Sequence, residues 1–298
     1  MSSLEAGTTY YYQAVIEVGG KEYRGEVKSF TTSVATQGQT MPGWLELPAA
    51  SSGSELYCES LGSGKTRNYS YLYDKTQYAS LWTAYPLTKS HLSGDGGGSW
   101  SFNPHVAQDL QIDVRGSSYP TNYKAADYSR GHLVPAADRK NAGMSSQVYY
   151  LTNQVPQLQN GFNDGVWSAL EGAVRNLTNS TDTVYVVTGV SFRKAGGSET
   201  VKTLTAKDSS VKPASVPVAN YFYKVLLKVK RSGGTITSAS AVGFWLEHKA
   251  TDSGSYANHA VSVDQIEAWT GFDFFANLPD GLEAVAEANT SWSAFQGF

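Results

Sequence analysis

Tyr128-Ser129-Arg130-Gly131-His132-Leu133-Val134-Pro135-Ala136-Ala137-Asp138 opens the stretch from which the rest of the chain can be read. It continues with Leu151-Thr152-Asn153-Gln154-Val155-Pro156-Gln157 and then Gly161-Phe162-Asn163-Asp164-Gly165-Val166-Trp167-Ser168-Ala169-Leu170-Glu171. A histidine beside an arginine is by itself more often structural than chemical, because most histidines do no chemistry. The downstream helix pattern shifts that balance. From Asn163 to Leu177, apolar Trp167, Leu170, Val174 and Leu177 recur at helical spacing, with Gly165 and Gly172 as weak points. At about 100° per residue, with Asn163 at zero, Trp167, Glu171 and Arg175 fall at roughly 40°, 80° and 120°. One wedge of the expected helix thus carries an amide oxygen, a carboxylate and a guanidinium. Glu171 and Arg175 also satisfy the spacing of an ordinary i,i+4 pair, worth a few tenths of a kcal/mol.

On either side the pattern is mostly strand. Tyr69–Tyr73 and Ala79–Tyr85 are aromatic-rich strand sequences, Val184–Val190 is a continuous apolar run, and Tyr221–Val229 alternates in part. Ser262 with Gln265 predicts a capping box for a helix over Val263–Trp269, and Gly271 stands near its C-terminal cap. The expectation is an α+β domain with a mixed, mainly antiparallel sheet core, few helices and no internal repeat.

Composition sets the outer limits. The 298 residues, 41% hydrophobic and 12% aromatic, suffice for one large or two modest domains and exclude a disordered chain. A formal charge of −3 gives no general attraction to polyanions, so any such ligand needs a locally basic site. The nine Lys/Arg between Arg193 and Arg231 face only Glu199 and Asp208, whereas from Glu247 onward eight acids accompany Lys249 alone. Segregated surface charge is the ordinary reading of such runs, and a phosphate-binding face is the functional one. Cys58, the single cysteine, permits no internal disulfide. No run approaches the roughly 18 apolar residues of a spanning helix, and the first thirty residues lack a signal-peptide pattern. Met1-Ser2-Ser3 leading directly into strand sequence suits a piece of a longer exported precursor with upstream modules.

Thr8–Val18, Gly19-Gly20 and Lys21–Thr32 read as a β-hairpin, which alone is marginal in water. This segment resembles the last two strands of a fibronectin type III or immunoglobulin-like module. The expected organisation is a hairpin at 1–32, a polar linker at 33–41 and the main domain at 42–298. Several apparent motifs fail on inspection. Gly62-Ser63-Gly64-Lys65-Thr66 imitates a phosphate loop, but Glu59 stands where the leading glycine belongs. His248 and His259 are too far apart for a zinc-protease helix, His91 beside the Gly-rich loop is likewise ordinary, and His105 has no partner within a few residues.

The linked motifs resemble those of the DNA/RNA non-specific endonucleases, whose site is a ββα-metal (His-metal finger) unit. The family's Asp-Arg-Gly-His signature is similar to Ser129-Arg130-Gly131-His132. Its later pattern is met by Asn153, Pro156, Gln157, Asn163, Trp167, Leu170 and Glu171. Val187-Thr188-Gly189, Pro217–Val225 and Glu267–Phe275 extend the resemblance over about 55–283. One departure is Ser129 in place of Asp, at a position near the metal's outer shell. It implies altered tuning of the metal's water, and Asp127, two residues earlier, is not taken as a substitute.

The resemblance implies a sequence-non-specific endonuclease hydrolysing phosphodiesters of DNA and RNA. It implies His132 as general base and Asn163 as the ligand of Mg²⁺, with Mn²⁺ as the alternative metal. It implies that Glu171 orients hydrating water, that Arg130 and Arg175 neutralise transition-state charge, and that Asn153 and Ser129 are supporting. All these groups address phosphate and metal, so weak sequence selectivity is expected. Export from a bacterium, to the envelope or medium, follows indirectly from the harm such an enzyme does in its own cytoplasm. The competing readings are a surface binding or adhesion module and an inactive protein of nuclease fold.

Overall fold

The computed structural model describes residues 9–31, 44–49, 55–61, 66–114, 128–141, 143–207, 211–250 and 255–298. The linker expected at 33–41, Gly62–Lys65 of the phosphate-loop mimic and Asp127 lie outside them. The chain divides into two compact units, Met1–Met41 and Pro42–Phe298. The first contains β1 (Thr9–Val18) and β2 (Lys21–Thr31), antiparallel and joined at Gly19-Gly20. Tyr11, Ile16, Val18 and Tyr23 of this hairpin are exposed, and its described side chains form no core of their own.

The second unit is built on one antiparallel sheet. In chain order its strands are β3 (Leu56–Leu61), β4 (Thr66–Asp74), β5 (Ala79–Leu87), β6 (Tyr128–His132), β7 (Gln154–Leu158), β8 (Val184–Ser191), β9 (Thr203–Thr205), β10 (Ser215–Pro217), β11 (Tyr221–Ser232), β12 (Thr235–Glu247) and β13 (Ala260–Val261). Seven of them form the main sheet in the order β13-β12-β11-β8-β5-β4-β3, while β6-β7 and β9-β10 are separate two-stranded ribbons. The helices are α1 (Met144–Gln147), α2 (Ser168–Leu177), α3 (Val263–Thr270), α4 (Asp280–Glu287) and α5 (Trp292–Gly297). This is the mixed α+β, mainly antiparallel architecture with few helices.

Strand β11 is buried from Phe222 to Lys228 because both faces of the sheet are covered. Phe222 and Leu226 join the core that contains Phe162, Trp167, Leu170 and Val174 from the α2 side. Tyr223, of opposite parity, stacks on Trp245, which in turn meets Trp269 of α3. The α3 helix begins where expected, with the Ser262 hydroxyl accepting from the Gln265 amide, and ends on Gly271 at a φ of 76°.

The helix expected over Asn163–Leu177 is regular only from Ser168. Gly165 lies at φ −112°, ψ −113°, and residues 159–167 form wide, irregular turns. The wheel position of Asn163 therefore does not follow from uniform helical spacing. Glu171 and Arg175, both within α2, keep theirs.

Gly189 shows how tightly β5, β8 and β11 approach. A Cβ there would collide with the ring of Tyr223 and lie 2.5 Å from the Leu81 carbonyl oxygen. Gly189→Ala is expected to cost about 1–3 kcal/mol by overpacking, read as a lower urea midpoint. Unchanged stability would mean that β8 can shift away from β11.

Candidate active site

Strands β6 and β7 pair antiparallel, with Ser129 opposite Gln157, Arg130 opposite Pro156 and His132 opposite Gln154. Side chains alternate along β6, so Arg130 and His132 share one face while Ser129 and Gly131 share the other. The chain then runs from β7 through the irregular turns into α2, completing a ββα unit. Gly131 leaves no room for a side chain, since its Cβ would lie 2.6 Å from Gln157 Cβ.

On the first face, the His132 ring lies against Trp100, with centroids 4.6 Å apart, and meets the edge of Tyr149 at 5.0 Å. Arg130 extends over the same Trp100, 5.6 Å from its centroid. The Trp100 segment is held in place by Ser101, whose amide donates to Tyr149 O and whose carbonyl accepts from Leu151 N. His132 Nε2 is buried without a hydrogen-bond partner. Burial, reinforced by the Arg130 charge, lowers the imidazole pKa to about 4, so the ring is neutral at neutral pH.

On the second face, Asn163 Nδ2 donates to Ser129 Oγ at 3.1 Å and to Gln159 Oε1 at 3.2 Å. Ser129 Oγ in turn donates to Gln157 O at 3.1 Å. Both amide protons of Asn163 are occupied, which leaves Oδ1 to accept or to ligate. This donor suits a hard cation that prefers oxygen and retains water.

A third group lies along α2. Arg175 Nη1 donates to Asp138 Oδ1 at 2.9 Å, and Tyr85 Oη donates to Asp138 Oδ2 at 2.8 Å. The Glu171–Arg175 distance is longer, 3.9 Å, so the close partner of Arg175 is Asp138 rather than its i,i+4 neighbour. Burial raises the Glu171 pKa to about 7, opposed first by Lys224. Lys224 is fully buried; its Nζ donates to Thr188 Oγ1 at 2.6 Å and sits 4.8 Å from the Trp167 ring centroid.

Asn153 serves the backbone. Its Oδ1 accepts from Val134 N, and Nδ2 donates to the Val134 and Val148 carbonyls. His248 accepts from Leu158 N through Nε2 and packs among Phe162, Phe222 and Tyr128. His105 lies 3.7 Å from Glu59, a partner remote in sequence. Two of the nine cations between Arg193 and Arg231, Lys224 and Lys228, are buried and cannot belong to a solvent-facing basic surface.

Sequence reasoning assigned no role to Asp138, Lys224, Trp100 or Tyr149. Asp138 and Lys224 stood inside the quoted motifs, and a charged residue in an apolar run was the available signal. Trp100 and Tyr149 carried none, because only folding brings them to His132.

A family model for DNA/RNA non-specific endonucleases matches residues 55–281, and the chain therefore belongs to that family. Nuclease C1 of Cunninghamella echinulata var. echinulata is 30% identical over 213 residues, covering 71% of this chain and 81% of that protein. Mitochondrial nuclease 1 of Schizosaccharomyces pombe is 28% identical over 218 residues, 72% of this chain and 66% of its own length. Bovine mitochondrial endonuclease G is 29% identical over 216 residues, covering 71% and 68% respectively. The fold is also that of a chain in a solved EndoG/EndoGI complex, with a TM-score of 0.58, 22% identity, and 72% of this chain and 85% of that one covered. Among the described residues no helix is long and apolar enough to cross a membrane.

Burial disfavours the charged imidazole, so the His132 proton is taken up only as pH falls towards about 4. In histidine-labelled protein, the His132 ring resonances are expected to hold their neutral-form positions from pH 8 to about 5.5. A midpoint near 6.5 would mean that the ring is solvated rather than enclosed by Trp100 and Tyr149.

Proposed function

We propose that this chain is a divalent-cation-dependent endonuclease that hydrolyses DNA and RNA without sequence preference, with His132 as general base and Asn163 as the protein ligand of Mg²⁺. The observation that carries this reading is that one ββα unit holds both a neutral imidazole with an unpartnered Nε2 and an amide whose donors are both occupied. A divalent cation held by Asn163 Oδ1 would supply Lewis-acid polarisation of a phosphoryl oxygen and stabilisation of the leaving oxygen.

The remaining roles belong to the chain. His132 Nε2 accepts the proton of the attacking water, for which a low pKa keeps the base form available at every working pH above about 4. Asn163 offers Oδ1 while Ser129 and Gln159 hold its nitrogen. Glu171, close to neutrality in its buried setting, loses its proton readily next to added positive charge and then orients hydrating water. Arg130 meets the phosphate from the His132 face. Arg175 acts from its position on Asp138, and that carboxylate limits how far its charge can move.

The departure at Ser129 does not favour the inactive reading, because the serine hydroxyl still accepts from the Asn163 amide. The N-terminal hairpin carries none of the groups named here. Sequence tolerance follows from a site whose named groups all address phosphate or cation.

His132→Ala is expected to lower plasmid nicking and RNA cleavage about 10²–10⁴-fold while the folded circular-dichroism spectrum persists. Asn163→Ala is expected to raise the Mg²⁺ concentration for half activity, whereas Asn153→Ala lowers melting temperature. Retention of more than about a tenth of the parent rate in His132→Ala removes that residue as base. The opposite ranking of the two asparagines moves the cation ligand.

Ser129→Asp keeps an acceptor for Asn163 but loses the donor to Gln157 O. A carboxylate at this position would be attracted by a divalent cation held on Asn163 and repelled by a singly charged phosphate, and the double charge of the cation is expected to decide the balance. Activity equal to or above the parent at low Mg²⁺ is expected, with the gain closing at saturation. A variant slower at every Mg²⁺ concentration would show that the Gln157 bond matters more than the charge.

A further inference from the structure

The acidic end of the chain contains a second constellation, apart from the ββα unit and built by α3 and α4. Asp264 and Glu267 are three residues apart and share a face of α3, and Glu287 is the last residue of α4. One carboxylate oxygen from each lies within 4.8 Å of the other two.

Glu287 is the informative member. Its side chain is only 5% exposed, yet Oε1 has no hydrogen-bond partner. It also ends a helix whose last turn contains no basic residue, where free carbonyls and the helix dipole oppose a negative charge. The charges around it are Glu267, Glu283, Asp264 and Asp273, all acidic, and with burial they push its pKa up to about 9. Glu267 is raised to about 7 for similar reasons. A buried carboxylate in such surroundings requires a proton or a cation.

The geometry favours a cation. Glu267 Oε1 accepts from Phe274 N at 2.7 Å, which fixes that carboxylate in place. Ca²⁺ binds oxygen at about 2.3–2.6 Å, so oxygens on opposite sides of it are about 4.6–5.2 Å apart, and the three carboxylates fall within that span. Mg²⁺ draws its ligands closer and demands octahedral order. The absence of His and Cys from the trio disfavours zinc. Asp264 is exposed, which gives ion and water a way in and lets water complete the six to eight ligands Ca²⁺ takes.

We propose that Asp264, Glu267 and Glu287 form a Ca²⁺ site, separate from the catalytic cation, that fastens α4 to α3. Both helices pack on β12: a Cβ at Gly243 would meet Ile266 Cδ1 at 2.5 Å, and Asn289, just past α4, donates to Ala241 O at 2.8 Å. The ion thereby secures one cover of the sheet and contributes stability rather than chemistry. It also gives the acidic C-terminal segment a role of its own.

The test uses the whole chain freed of metal with EDTA, followed by calorimetric and melting titrations with CaCl₂. One Ca²⁺ per chain and a melting temperature raised by several degrees are expected, in the parent and equally in Asn163→Ala. Glu287→Gln should bind at least tenfold more weakly, and Asp264→Asn, an exposed change that leaves the core intact, should weaken binding even if Glu287→Gln does not fold. No Ca²⁺-dependent shift in the parent overturns the site, as does an equal shift in Asp264→Asn. A Ca²⁺ effect lost in Asn163→Ala assigns the ion to the catalytic unit and likewise overturns it. An equal response to MgCl₂ with the same residue dependence overturns the choice of Ca²⁺.

Discussion

The buried carboxylate of Asp138 joins the three parts on which the candidate site depends. It lies six residues beyond His132, receives the Tyr85 hydroxyl from the central sheet and receives Arg175 from α2. Hydrogen bonds to a charged group contribute about 1.5–3 kcal/mol each, and an unpaired carboxylate in this position would be strongly disfavoured. The next residue extends the anchorage. Arg139, fully buried, donates to Asn68 Oδ1, Asn68 O and Pro86 O on β4 and β5. The loop after β6 is thus attached to the sheet by side chains on both sides of one peptide bond, and α2 is attached to the loop.

Attachment at this depth determines protonation. His132 is enclosed by rings and loses water, so its neutral form prevails. Glu171, partly buried, lies within electrostatic reach of the fully buried Lys224, and each is moved towards neutrality by desolvation and back towards charge by its neighbour. Asn163 obtains its direction from neutral hydrogen bonds, through Ser129 and Gln159, which an added cation would not reorganise. Under the proposed reading, positive charge introduced into such a setting would meet a prearranged oxygen and a carboxylate ready to ionise, by which a site made of few ligands would favour binding.

The two covers of the sheet differ in kind. On the α2 side, charged groups are inserted into an apolar core, where Asp138 meets Arg175 and the Tyr85 hydroxyl and Lys224 meets the Thr188 hydroxyl. On the α3 side, aromatic packing of Tyr223, Trp245 and Trp269 dominates, and charge gathers as unpaired acids around Glu287. The first arrangement supports reactive groups, whereas the second leaves an electrostatic deficit that a divalent ion would relieve.

The short-range signals were readable along the chain. A continuous apolar run announced β8, partial alternation announced β11, Ser262 and Gly271 marked the ends of α3, and Gly19-Gly20 marked the hairpin, because each depends on neighbours within a few residues. The ordered motifs around His132, Asn163 and Glu171 likewise pointed to the family and to candidate chemical groups, since residue type and sequence order survive without coordinates. The kink at Gly165 was not readable: a glycine tolerates both helix and break, and the choice falls to the fold around it. Nor could order along the chain reveal that Arg175 turns to Asp138, that Lys224 is buried near Glu171, or that Trp100 and Tyr149 enclose His132. Those are contacts between segments distant in sequence, and burial, which sets their charges and pKa values, exists only once the sheet has brought them together.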